Sequence, residues 1–220
     1  MDDFRYDPYL KLYLPLWKLD GASFMSQDAY GHLCTVTGAL WRLDGRIFNG
    51  VNDVITVPHH AALNFGWADS FSFWFWIKTN QASGDYKNVL GKGTGSPSYN
   101  ALIHNGYPSM YLGNWATAAR CWSQASTLVN DNVWHFVLMT YDGTKVVAGQ
   151  LYYVDGTASA TSAIVDTLDA DIANTQSLTI GSGSGFDALA ATIPEIGINS
   201  RGLTALEGQN IYLATKWRYK

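Results

Sequence analysis

The chain is short of charge, of cysteine and of long apolar runs, and each shortage removes a class of function. Charged residues make up 15% of the 220 residues, the net charge is -4, and Lys and Arg are scattered. No basic stripe for nucleic acid is present, so no nucleic-acid partner is expected. The most apolar runs, Phe71 to Ile77 and Val133 to Met139, are strand-sized. They fall far short of the ~20 residues a membrane-spanning helix needs, so no membrane insertion is expected. Two cysteines, Cys34 and Cys121, are too few for a disulfide framework or a cysteine-only zinc site. They are either buried free thiols or a single pair. The opening Met1-Asp2-Asp3-Phe4-Arg5 is acidic and is not followed by an apolar h-region, so no secretory signal is read there. The five histidines show no chelating spacing, and His59-His60 would point to opposite sides of a strand. A Gly-x-Ser-x-Gly nucleophile elbow is also missing.

What the chain has in quantity is aromatic surface: nine Trp, thirteen Tyr and nine Phe. Broad rings suit pleated, half-buried sheets and can serve as platforms for ligands. Short apolar runs alternate with turn signals. Leu10 to Trp17 reads as a strand, and Pro15 within it points to an edge position or a bulge, because proline lacks the ladder N–H. In Phe71 to Thr79, Phe71, Phe73, Phe75 and Ile77 fall on one face and Ser72, Trp74, Trp76 and Lys78 on the other, which predicts a strand covered on both sides. Asn132 to Tyr141 repeats the pattern, and the runs ending at Asp142-Gly143 and Asp155-Gly156 are spaced for an antiparallel meander. Thr204-Ala205-Leu206-Glu207 fits a capping box and predicts one short helix near the C-terminus. With no internal repeat and no linker composition, the reading is all-β: a two-sheet antiparallel sandwich forming one domain over 1–220. Short aromatic and cationic arms at 1–9 and 214–220 either dock on a partner surface or fold back onto their own sandwich.

Several segments resemble the laminin-G-like, concanavalin-A-like lectin and glucanase superfamily. They are Leu12 to Trp17 with Asp28-Ala29-Tyr30-Gly31, Phe48 to Pro58, Ser70 to Thr79, Trp134 to Val137 with Tyr141-Asp142-Gly143, Leu151 to Gly156, and Glu195 to Thr204. The resemblance covers roughly Leu10 to Leu213 and implies a jelly-roll sandwich. It also implies calcium as a candidate cofactor, with Asp28, Asp53 and Glu195 as metal ligands. Against that, Asn49 stands where the family's turn carries an aspartate, and the family's aspartate near Pro194 is absent. The competing reading makes these carboxylates loop-holding Asx turns. A glucanase of this superfamily would carry a Glu-x-Asp-x-x-Glu strand bearing an acid and a nucleophile, and no such spacing occurs.

No catalytic residues are therefore assigned, and a non-catalytic binding or assembly module is expected. Tyr99, Tyr107, Trp115 and Trp122, in or beside loop-rich stretches, are the candidates for stacking on sugar faces. The alternative is that they plug the sandwich ends or bury at a subunit contact. Two functions stay open: a viral decoration or fibre protein attached to a particle or surface, and a glycan-binding lectin-like domain, with a glycoside hydrolase a distant third. The aromatic arms and the missing export signal favour the first. Other protein subunits or glycans are the expected partners, a homo-oligomer is one form this takes, and a virion or extracellular surface is the expected location.

Overall fold

The computed structural model describes residues 3–81, 86–94, 97–114 and 117–219. Among these, the strands are β1 (Leu10–Pro15), β2 (Ser23–Met25), β3 (Leu33–Thr37), β4 (Leu40–Arg42), β5 (Gly45–Asn49), β6 (Val54–Val57), β7 (Phe71–Ile77), β8 (Tyr86–Lys92) and β9 (Ser98–His104). They continue with β10 (Tyr107–Asn114), β11 (Ala119–Ala125), β12 (His135–Tyr141), β13 (Gln150–Val154), β14 (Thr157–Ser159), β15 (Thr161–Asp166), β16 (Leu178–Ile180), β17 (Ala190–Ile193) and β18 (Glu195–Asn199). Helix α1 (Ala205–Thr215) follows.

Two large antiparallel sheets face each other, as the patterning predicts. One has six strands in the order β1-β18-β7-β12-β13-β14, the other nine in the order β15-β11-β10-β9-β8-β16-β6-β3-β2. A small sheet, β17-β5-β4, extends the first through the Lys78–Thr192 bridge. The main core lies between the large sheets and takes Phe71, Phe73, Phe75 and Ile77 from β7. The other face of β7 sends Trp74 and Trp76 into a second apolar cluster with Phe136, Leu138, Ile211 and Tyr219. Every residue of β7 is buried, as its two apolar stripes require.

Local chemistry explains the joints. Strand β1 is an edge strand with an irregular register at Leu10/Leu12, so Pro15 costs no ladder bond to a neighbour on its free side. Asn105-Gly106 and Asp155-Gly156 take positive φ at both positions and turn β9 into β10 and β13 into β14. Cys34 and Cys121 are buried free thiols. No helix among the described residues is long and apolar enough to cross a membrane.

The two ends are not free arms. Phe4 packs edge-on against Tyr13 and Trp74, with ring centroids 5.5 and 5.3 Å apart. Tyr219 lies 4.4 Å from Trp76 and is buried. Both termini therefore fold back on the outer face of their own six-stranded sheet, because Trp74 and Trp76 present an apolar surface there that would otherwise be wet.

Candidate functional site

The outer face of the nine-stranded sheet collects an unusual set of side chains. Register places Thr179, Gly91, Asn100, Tyr111 and Trp122 in one row across β16, β8, β9, β10 and β11. The flanking row runs Asn88, Leu102, Ser109 and Gln124. All point away from the core, since their sequence neighbours Leu178, Leu90, Ala101, Met110 and Cys121 fill it.

Aromatic rings form one wall. Tyr86, 39% exposed, stacks on His104 at 4.6 Å and meets Trp122 edge-on at 5.0 Å. Tyr111 joins Trp122 to Phe186, at 5.8 and 5.2 Å. The rings are pinned: the Trp122 indole donates to Ser109 Oγ at 2.9 Å, and that hydroxyl donates to the Ser123 carbonyl at 2.7 Å. The His104 Nδ1 lies 2.7 Å from Gln124 Oε1, and its Nε2 lies 2.9 Å from the Asn105 amide nitrogen, an arrangement that places the ring proton on Nδ1.

Beside this wall is a buried polar floor. The amides of Asn88 and Asn100 and the hydroxyls of Ser98, Thr179 and Ser184 have no hydrogen-bond partner among the described residues. Asn88 and Asn100 are wholly buried. Each unpaired group of this kind costs about 1–3 kcal/mol. Their roof is the loop after β16, where Gly181, Gly183 and Gly185 all take positive φ, a conformation that suits glycine. Ser184 sits directly over the floor, since a methyl on Gly91 would lie 2.9 Å from its Cβ and would strike the Asn100 amide. The floor holds its donors and acceptors beneath the Ser184 loop, and the wall reaches the surface at its rim, through the exposed Tyr86 and the half-buried Phe186.

Of the residues expected to stack on sugars, Trp122 belongs to the wall, but on strand β11 rather than in a loop. Tyr107 is half-buried on the same face, opposite His104. Tyr99 corrects the expectation: it is fully buried, donates its hydroxyl to the Leu63 carbonyl at 2.7 Å and stacks on Phe73 in the core, so no ring face is available. Trp115 lies outside the described residues. Sequence reasoning missed Tyr86, His104, Asn88, Asn100 and Phe186. The usable signal was asparagine in the middle of strand patterns, where it is disfavoured without a reason.

The three calcium candidates do not gather into one cluster among the described residues, where no three His, Cys, Asp or Glu side chains come together as a metal site would require. Each candidate carboxylate has partners within the fold, although one oxygen of Glu195 has none among the described residues. Asp28 accepts from the backbone N–H of Tyr30 at 2.8 Å and of Tyr13 at 3.0 Å. Asp53 accepts from the Asn49 N–H at 2.9 Å, inside a turn that Asn49 itself holds by accepting from Val51 and Asn52. Glu195, wholly buried, accepts from the Trp17 indole at 2.9 Å and from Arg218 at 2.7 Å. Burial pushes the Glu195 carboxyl upward while Arg218 and Trp17 pull against it. Calcium needs six to eight converging oxygens, and these three residues do not fit it as a set. Asp28 and Asp53 each hold a loop through backbone N–H groups.

Comparison with known proteins agrees with this architecture. In sequence, no curated protein matches. In structure, the binding domain of Paraclostridial Mosquitocidal Protein 1 superposes with a TM-score of 0.71 at 14% identity, covering 94% of this chain and 52% of that one. The botulinum neurotoxin serotype G binding domain gives 0.72 at 16% identity, covering 94% and 51%. The botulinum neurotoxin DC binding domain, solved in complex with rat synaptotagmin II, gives 0.71 at 13% identity, covering 94% and 51%. The chain spans about half the length of these domains, and at such identities the likeness concerns the fold. A laminin G-type family model, described as the concanavalin A-like lectin/glucanases superfamily, matches residues 49–207, more than half of the sequence. The chain belongs to the concanavalin A-like lectin/glucanases superfamily.

Proposed function

We propose that this protein is a non-catalytic binding module, displayed at an extracellular or particle surface, that takes a glycan on the outer face of its nine-stranded sheet. The observation that carries this reading is the exposed Tyr86 ring, packed on His104 and Trp122, beside a floor of unpaired amides and hydroxyls that lies covered by the Ser184 loop and that a ligand would reach by displacing it. Sugar hydroxyls donate and accept, as those groups need, and the C–H face of a pyranose packs on a ring. The fold's presence in toxin binding domains supports a binding role. A viral decoration or fibre protein was favoured by aromatic arms, and those arms pack onto their own sandwich, so the glycan reading takes precedence.

A glycan array tests it, run with the wild-type chain, Asn100→Leu and Tyr86→Ala, each with and without EDTA. The Asn100 amide is unpaired among the described residues, so Asn100→Leu keeps the melting temperature while sugar binding is lost. Tyr86→Ala, at the exposed rim, weakens binding without touching the floor. Binding is expected to persist in EDTA. A silent array, or binding indifferent to both substitutions, would overturn the reading.

A further inference from the structure

A second concavity lies on the opposite side of the molecule, where the two chain ends meet over the six-stranded sheet. It is a cleft of about 890 Å³ between residues 3–8 and helix α1, within the range of small-molecule sites. Its floor is apolar, made by Leu10, Trp74, Leu203 and Ile211. Its two ends differ in charge chemistry.

At one end Arg201 is saturated, with Asp7 and Glu207 each 2.7 Å away. At the other, Tyr13, Lys18, Arg5 and Arg218 line the cleft. Arg218 is neutralised by Glu195, and Arg5 pairs with Asp3. Lys18 and Arg218 both sit over the Trp17 ring, at 4.5 and 4.7 Å, and Lys18 has no ion-pair partner among the described residues. The Tyr13 ring is buried, and its hydroxyl makes no hydrogen bond among the described residues. An ammonium and a phenol O–H are thus left as donors at one end of an apolar trough, backed by two guanidinium groups.

We infer that this cleft binds an amphipathic anion, a carboxylate or phosphate carried on an apolar body, with the anion at Lys18 and Tyr13 and the body lying between residues 3–8 and helix α1. The site is separate from the glycan face, and neither reading depends on the other.

Calorimetric titration of the full chain with octanoate and octyl phosphate tests it, with octanol and inorganic phosphate as controls. Both amphiphiles are expected to bind saturably and more tightly than either control. Lys18→Ala weakens them about tenfold, the scale of one charge-assisted hydrogen bond. Ala214→Phe, an exposed helix position lining the cleft, fills the trough and abolishes binding while the fold melts normally. Co-sedimentation with phosphatidylcholine vesicles containing phosphatidate, lost in Ala214→Phe, assigns the anion to a lipid. Binding of free octyl phosphate without co-sedimentation assigns it to a soluble molecule. Absence of binding by both amphiphiles, octanol binding as tightly as octanoate, inorganic phosphate binding as tightly as octyl phosphate, or indifference to both substitutions would each overturn the inference.

Discussion

Lys92 carries an ammonium group wholly inside the sandwich. Its Nζ donates to the Asn174 carbonyl, to Asn174 Oδ1 at 3.1 Å and to Asn64 Oδ1 at 3.4 Å, with no ion-pair partner among the described residues. Burial lowers its pKa to about 8, below the ~10.4 of an unfolded lysine. Between those values the unfolded chain holds a proton that the folded chain has released, so stability rises with pH across that window. Urea unfolding is expected to show a gain of about 2 kcal/mol from pH 7.5 to 9.5 that is missing in Lys92→Met; equal slopes in the two proteins would refute the assignment. Nothing in Leu90-Gly91-Lys92 announces this. The burial of Lys92 depends on Asn64 and Asn174, which arrive from distant loops. Tyr99 misled for the same reason, since Pro97 beside it reads as loop. By contrast, both faces of Phe71 to Ile77 were legible, because seven consecutive apolar or small side chains leave no solvent-facing stripe.

At the scale of elements, the capping box is the clearest case of local sequence deciding local structure. The Thr204 hydroxyl accepts from the Glu207 N–H at 3.3 Å, and the Glu207 carboxylate accepts from the Thr204 N–H at 2.8 Å. The Arg201 guanidinium then holds the Glu207 carboxyl down to about 2. Helix α1 matters beyond its length because Thr215 accepts from the Trp76 indole at 2.8 Å, tying helix to sheet. Thr204→Ala is expected to cost about 1 kcal/mol, seen as a melting point lower by roughly 2–4 °C. No shift would mean that tertiary packing alone sets the helix start. Strand β11 was illegible: its core face is Ala119, Cys121, Ser123 and Ala125, small residues that give no hydrophobic period. The floor of the candidate site was hidden likewise, because it is assembled by register across three strands and the loop after β16, and no single segment displays it.

On the scale of the whole molecule, the six-stranded sheet is buried on both sides, by the main core and by the two chain ends. The C-terminal seal depends on the pair of Arg218 with the fully buried Glu195. Arg218→Ala leaves that carboxylate without its counter-charge, a change that costs about 3–5 kcal/mol. Glu195 already has a raised pKa, so its folded form binds a proton more readily than its unfolded form, and stability falls as pH rises through that range. The variant's deficit in denaturant unfolding is therefore expected to be larger at pH 8 than at pH 5; a deficit independent of pH would place the seal in ring packing instead. Since both ends are fastened to one side of the sandwich, any polypeptide or support joined to either of them leaves from that side. The aromatic wall around Trp122 then faces outward, so tethering through the termini orients this module with its proposed recognition surface toward the medium.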